Sequence, residues 1–250
     1  LDLFSAEEPT LSAEQIAQRM QLSRPTAFRY VRQLCDAGLL LSISGAYTLG
    51  PRIIELDYCI RASDPILANS RDALRTLAGT QACVAVLVTM YGEQVIYVHS
   101  ESGIGASDLR FTRGRSLPLM SGAASKVILA HQPATRLKRV FQHHAGTEHA
   151  AQIGTTMADF LKYFRNIRQR GVYISKSEIE EQITGVAAPI FNVNGDVTSC
   201  LTLTFNHELH PEYEAEHFAP LVQGCARDVS LRLAKSRAGE TLPKSPVLSR

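Results

Sequence analysis

Along residues 12–36 apolar and polar positions follow the helical period in two runs, broken at Gln21-Leu22. Ser12 with Gln15 three residues on has the form of a capping box. Ile16, Ala17 and Met20 follow as an apolar stripe. Ser23 opens the second run as an N-cap, with Pro25 in the first turn, where a missing N–H does little harm. At about 100° per residue Ala27, Val31, Leu34 and Cys35 share one side, and Pro25, Thr26, Arg29, Arg32 and Gln33 the other, with Phe28 at the border. Gly38 fits the position after a helix end, and 39–43 and 46–49 read as short strands around Ser44-Gly45. Two helices across a tight turn followed by a hairpin predict a winged helix-turn-helix, whose second helix enters the DNA major groove. On that reading Arg29, Arg32, Gln33 and Thr26 face bases, Phe28 meets a thymine methyl, and Arg24 approaches phosphate beside Pro25. The helical spacing alone fits a solvated amphipathic helix equally well; the caps, turn and hairpin favour DNA. The wing carries no Lys or Arg before Arg52, which predicts a weak phosphate grip.

Beyond the wing the pattern changes. Residues 51–62 suit a linker helix, ended by Asp64-Pro65, and 66–78 form the next helix. Residues 82–90 and 94–99 are β-rich runs joined at Tyr91-Gly92-Glu93. The stretch 109–119 reads as strand, interrupted by Gly114 and Pro118, and 122–131 starts a helix. Residues 135–142 and 157–169 are amphipathic helices. Residues 185–192 and 196–205 are strands turning at Asn194-Gly195, and 211–234 is a final helix. Helix, strands, helices, strands and helix in that order predict an α+β domain with an antiparallel sheet. The opening Leu1-Asp2-Leu3-Phe4-Ser5 reads as the end of an apolar helix without an initiator Met, so the native protein is expected to extend upstream. Residues 236–250 are polar and Pro-containing and read as a flexible tail.

Several separate stretches, in order, resemble the IclR-type bacterial transcription regulators. They are Leu22-Ser23-Arg24-Pro25-Thr26 with Arg29 and Leu34; Tyr47-Thr48-Leu49-Gly50-Pro51; and Arg113-Gly114-Arg115, Pro118-Leu119, Gly122-Ala123, Lys126 and Leu129-Ala130. Ile167-Arg168-Gln169-Arg170-Gly171, Glu178 and Gly185-Val186-Ala187-Ala188-Pro189-Ile190-Phe191 complete the set. The resemblance implies a winged helix over 1–50, a linker helix over 51–64 and a GAF-like effector-binding domain over 65–235, assembled as a homodimer or homotetramer. It implies that Gly122 and Ala123 present amides to an effector and carries further effector positions onto Ser175, Gly185, Thr202 and Thr204. Some relatives have an acidic residue in place of Ser175 and a Cys in place of Gly185, a change that suits a larger or anionic effector. The residues themselves point to the same place. Met120-Ser121-Gly122-Ala123 lies where strand gives way to helix, and small residues at a helix start leave backbone N–H groups free for an anion. Leu109, Leu117 and Met120 would supply apolar wall. A tightly packed turn and an ordinary strand face explain the same residues without a ligand. The expected function is a ligand-responsive regulator of a catabolic operon, with double-stranded operator DNA and a small organic acid, aromatic acids included, as partners. An enzyme or sensor with an appended helix-turn-helix is the alternative.

Composition alters this picture little. The chain has 250 residues, 45% of them hydrophobic, enough for two cores. A net charge of +2 excludes a general polyanion-coating protein, so affinity must come from a focused site and from oligomerisation. Arg19, Arg24, Arg29 and Arg32 cluster near one helix among Glu7, Glu8, Glu14 and Asp36. Five scattered cysteines without a C-x-x-C pair read as reduced thiols, and neither a signal peptide nor a spanning apolar run is present, so a cytoplasmic protein is expected. No cofactor is called for. His143, His144 and His149 lack a partnering Cys or carboxylate at regular ligand spacing. Ser125 and Lys126 show no base-and-orienter set and are expected at the helix surface or pocket rim. Arg110, Arg113 and Arg115 alternate as a row facing solvent, an interface or an acidic effector.

Overall fold

The computed structural model describes residues 1–79, 81–106, 111–144 and 146–239, without the side chains of 148, 149 and 237–239. Two compact units divide the chain, Leu1–Asp64 and Pro65–Arg250.

In the first unit β1 (Leu11–Ser12) leads into α1 (Ala13–Arg19), and α2 (Arg24–Asp36) is followed by β2 (Leu40–Ile43), β3 (Ala46–Leu49) and α3 (Arg52–Ser63). The capping box at Ser12 forms in both directions, Gln15 N–H to Ser12 Oγ at 3.1 Å and Ser12 N–H to Gln15 Oε1 at 2.7 Å. Ser23 occupies the N-cap of α2, but its side chain makes no cap bond. Pro25 removes one of the two N–H groups an N-cap side chain accepts from, and the Ser23 hydroxyl bonds Thr26 Oγ1 at 2.8 Å instead. The hairpin turns through Ser44 and Gly45, both at positive φ, as a two-residue hairpin of the primed type requires. Three strands pair antiparallel in the order β1-β3-β2. Leu11, Ile16, Val31 and Leu40 form the core, with Leu3 and Phe4 packed on it. Two expectations fail here. Met20 is 52% exposed, because the helix ends before its side chain reaches the core. Residues 1–10 form turns rather than a helix end, with Ser5 Oγ accepting the Glu8 N–H.

The second unit packs helices on both faces of a six-stranded antiparallel sheet. Its elements are α4 (Pro65–Ala78), β4 (Cys83–Tyr91), β5 (Gln94–Ser102), β6 (Ser116–Leu117), α5 (Ala123–Ala130), α6 (Ala134–His144), α7 (Glu148–Ile153), α8 (Met157–Arg170), β7 (Tyr173–Lys176), β8 (Ile183–Phe191), β9 (Val197–Asn206) and α9 (Ala215–Gly239). The strand order is β6-β5-β4-β9-β8-β7. Period-2 alternation assigns the faces. Cys83, Ala85 and Leu87 of β4 with Leu201, Leu203 and Phe205 of β9 pack beneath α4 and α9. Val84, Val86 and Val88 turn to the opposite face, toward α5, whose eight residues are all buried, and toward Phe160 and Phe164 of α8. The stretch expected as strand over 109–119 is β only at Ser116–Leu117; Gly114 and Arg115 bond Tyr97 around a turn, and 109–110 lie outside the described residues. The last helix starts at Ala215, four residues after Pro211, and runs to Gly239, so the start of the expected tail is helical; 240–250 lie outside the described residues. The five cysteines are free. Burial pushes the Cys83 thiol up to about 11 and Cys200 to about 12.

Burial also holds the His131 imidazole below its ordinary 6.5, against the bond its Nδ1 makes to the Val127 carbonyl at 2.9 Å and with help from the Arg168 charge. The unfolded chain therefore takes up the His131 proton first as pH falls. That contribution to stability is complete above about pH 6.5 and is lost as pH drops toward the folded value. The melting temperature of wild type should fall more steeply between about pH 7 and about pH 5 than that of His131→Gln. Parallel curves would show that His131 titrates alike in both states.

Candidate functional site

Two sites emerge, one in each unit. On α2, Arg24, Pro25, Phe28, Arg29, Arg32 and Gln33 are exposed and Thr26 is half-buried, while Ala27 and Val31 are buried. Phe28, Arg29, Arg32, Ser42 and Tyr47 line a shallow cleft between α2 and the hairpin. The arginines are not equivalent. Arg19 grips Glu8 through both terminal nitrogens at 2.6 Å. Arg24 pairs with Glu14, both more than half exposed, and lies 5.9 Å above the Phe28 ring, so the residue expected on phosphate has a weakly held acid to leave. Arg29 lies 5.4 Å over Tyr30, and among the described residues neither Arg29 nor Arg32 has an ion-pair partner. The guanidinium groups with no acid to leave are the two at the centre of the outward face.

In the second unit one cavity opens between α5, the sheet and the segment after β7. Strand register explains its floor. Ser175, Gly185, Thr204 and Val84 stand opposite one another across β7, β8, β9 and β4, and Tyr173, Ala187, Thr202 and Val86 form the next row. Paired residues share a face, so both rows point at α5. Gly122, Ala123, Ser175, Gly185, Thr202 and Thr204 all line this cavity; Met120, expected with them, is 5% exposed and packs in the core beside it. Leu117 lines the wall and Leu109 lies outside the described residues. Val86, Val88, Tyr97, Phe111, Ile179 and Ile183 complete the apolar wall. Burial holds the Tyr97 phenol well above its usual range.

Glycine is required at one of these positions and leaves space at a second. Gly122 sits at φ +82°, and a Cβ there would lie 2.4 Å from Ile179 Cδ1. A Cβ on Gly185 would come within 3.2 Å of Ser175 Oγ and 3.5 Å of the Ala123 methyl, taking space from the cavity floor.

The helix start does not leave its N–H groups free. Gly122 N–H donates to Glu178 Oε2 at 2.8 Å, and Ala123 N–H to Ser175 Oγ at 3.1 Å. Ser175 reaches its amide from β7 itself, and the segment after β7 turns back over α5 to deliver the Glu178 oxygen. Thr204 Oγ1 donates to the Val84 carbonyl at 3.0 Å, and Thr202 Oγ1 is 3.6 Å from Cys200 Sγ. Lys126 and Ser125, expected at the surface or rim, are 6% and 0% exposed. Arg115 pairs with Glu180 at 3.7 Å, and Arg113 donates to the Val98 carbonyl; Arg110 lies outside the described residues. Glu178, Ile179 and Glu180 were missed as site residues. The signal was present, because Glu178 stands three residues past Ser175, but only the chain reversal brings it to α5.

A winged helix-turn-helix joined to a domain with a cavity of mixed polarity defines a DNA-binding regulator with a ligand pocket. Residues 61–231 match the family model for the bacterial transcriptional regulator IclR C-terminal domain, and residues 1–42 that for the IclR helix-turn-helix domain. The chain belongs to the IclR family of transcriptional regulators. The Pca regulon regulatory protein of Pseudomonas putida is 21% identical over 93% of this chain and 81% of its own length. The crystal structure of an IclR transcriptional regulator from Alicyclobacillus acidocaldarius has the same fold at a TM-score of 0.74, with 23% identity over 92% of this chain and 93% of that one. So does an IclR homologue from Microbacterium hydrocarbonoxydans complexed with 4-hydroxybenzoate, at a TM-score of 0.74 and 20% identity over 95% and 96% of the two chains. Among the described residues no helix is long and apolar enough to cross a membrane.

Proposed function

We propose that this regulator controls a catabolic operon in the cytoplasm and responds to a small organic acid, single-ring aromatic acids included. The observation that carries the reading is the cavity, with an apolar wall that includes Val86, Val88 and Phe111 and a polar end where Ser175, Thr202 and Thr204 face the start of α5. The 4-hydroxybenzoate bound by the Microbacterium homologue supports this ligand class. The acid's carboxylate lies at the start of α5 and its body against Val86, Val88 and Phe111, with the space at Gly185 making room. A thermal-shift screen of organic acids on the full chain tests this: aromatic and short aliphatic acids raise the melting temperature and are recovered unchanged. A panel that gives no shift, or a bound acid that is turned over, contradicts the reading.

The DNA half of the function rests on the outward face of α2. Arg24, Pro25, Thr26, Phe28, Arg29, Arg32 and Gln33 form the contact set, with Arg29 and Arg32 reading bases. Arg29→Ala should cost about 1–3 kcal/mol on the cognate operator and much less on random DNA. Equal losses on both DNAs in a binding titration would mean that Arg29 meets only phosphate.

The protein acts as a homodimer or homotetramer joined through α3. No residue of this helix is buried, and Leu56 is 39% and Ile60 52% exposed. Ile53, Leu56 and Ile60 recur at i, i+3 and i+7, the seam spacing of paired helices. A second copy covers that stripe and supplies the second recognition helix, which predicts a pseudo-palindromic operator.

A further inference from the structure

The polar end of the cavity holds a carboxylate that belongs to the protein. Glu178 Oε2 accepts from Gly122 N–H at 2.8 Å and lies 2.7 Å from Lys126 Nζ. Glu178 Oε1 accepts the Tyr173 hydroxyl at 2.7 Å, and Tyr173 bonds Tyr163 at 2.7 Å. Lys126 Nζ also donates to the Tyr173 oxygen at 3.2 Å and lies 5.1 and 5.5 Å from the centres of the Tyr173 and Tyr163 rings. Burial, with the bonds to Tyr163 and Glu178, holds the Tyr173 phenol well above its usual range, so it remains a donor. A buried ammonium between two aromatic faces needs an anion, and Glu178 is the one in reach. A second carboxylate cannot share this position, because two like charges on one set of donors repel.

The support of Glu178 is built to let go. It stands on the turn 177–182 between β7 and β8, which closes over the cavity. Ser177 there has φ +58°, in the left-handed region. The outer tie is the Arg115–Glu180 pair at 3.7 Å, with both side chains more than half exposed, where an ion pair holds weakly. Below the turn two hydroxyl groups wait for a partner. Ser121 is 4% exposed, lines the cavity and has no side-chain hydrogen bond among the described residues. Ser175 Oγ accepts from Ala123 N–H, and its own proton has no acceptor among them.

We propose that Glu178 is a resident carboxylate that occupies the anion position of the cavity, and that an anionic effector binds by exchanging with it. The incoming carboxylate takes over Gly122 N–H and Lys126, Glu178 swings to solvent, and the turn 177–182 is released. This rests on the cavity being the effector site and adds how that site selects and signals. A neutral molecule of the same shape fills the apolar part but cannot replace Glu178 on Lys126, so it leaves the turn closed. A signal then requires that the ligand prefer the released arrangement, which only an anion does.

The test uses the full chain with benzoate and its neutral isostere benzamide, by calorimetry. Glu178→Gln should bind benzoate at least about tenfold more tightly than wild type, since the competing charge is gone and Lys126 lacks a counter-ion, while benzamide changes by less than about twofold. Benzoate binding that is absent from Glu178→Gln, or no tighter than in wild type, overturns the exchange. Because this variant leaves Lys126 without its carboxylate and costs stability, hydrogen exchange of the wild-type chain gives an independent reading. Benzoate should speed exchange of the Ser177, Ile183 and His207 amides, which bond within and beside the turn to Ile183, Glu180 and Gln182 carbonyls. Slower exchange there overturns the proposal. Adding Ala123→Leu to Glu178→Gln separates the two levels. Benzoate binding that survives it removes the cavity as the effector site, whereas binding that is lost without prior tightening removes only the exchange.

Discussion

Placing aspartate at Leu56 and Ile60 is expected to convert the protein into a monomer and to lower its affinity for the full operator by about a hundredfold or more. Both side chains stand on one stripe of α3, and neither is buried within the unit, so the substitutions leave the core of Leu11, Ile16, Val31 and Leu40 untouched. In a two-fold assembly the same residues meet their own copies, and four carboxylates would be forced into one seam. Once one recognition helix is bound, the second meets its half-site at an effective concentration near millimolar. Without the pairing each helix binds on its own, with the wing carrying no Lys or Arg between residues 39 and 51 to compensate. Sedimentation and an operator titration check the two halves of the prediction. A variant that stays dimeric places the interface elsewhere.

Ala123→Leu should abolish the response to acid. The methyl group of Ala123 is 3% exposed and stands 3.5 Å from where a Cβ on Gly185 would lie, so three added carbons project into the space between the start of α5 and the floor. Overpacking of this kind costs about 1–3 kcal/mol of stability and fills the position intended for the carboxylate. The ratio of operator affinity with and without acid, which departs from one in wild type, should return to one. A normal ratio in a folded variant would put the pocket elsewhere.

Legibility in the sequence followed the range of the interactions involved. The capping box, the break at Gln21, the face of α2 and the Ser44-Gly45 turn depend on residues within four positions of each other, and the spacing displayed them. The strand face bearing Thr202 and Thr204 was readable as an alternation, although which set faced the cavity depended on α5 packing over it. Strand β1, of two residues, carries too short a pattern to separate from a loop, and β7 lacks the two-residue turn that marked the equally short β2 and β3. Lys126 reads from sequence as a surface or pocket-rim residue because lysine is rarely buried without a partner. Its partner lies on the far side of α8 in sequence, and only the reversal after β7 unites them. The same reversal occupies the Gly122 amide, expected free, with Glu178, and Ser175 of β7 occupies that of Ala123. Ser23 shows the local limit: the residue type was right for a side-chain cap, but Pro25 had removed one of the donors it would have served.

The central claim is that acid in the cavity and DNA on α2 bias one equilibrium. Linkage tests it most directly, with the acid giving the largest thermal shift. Its affinity is measured by calorimetry on the full chain with and without operator, and operator affinity is measured with and without the acid. The account predicts two factors that both differ from one and equal each other. An acid that binds the cavity tightly while both factors stay at one would contradict it.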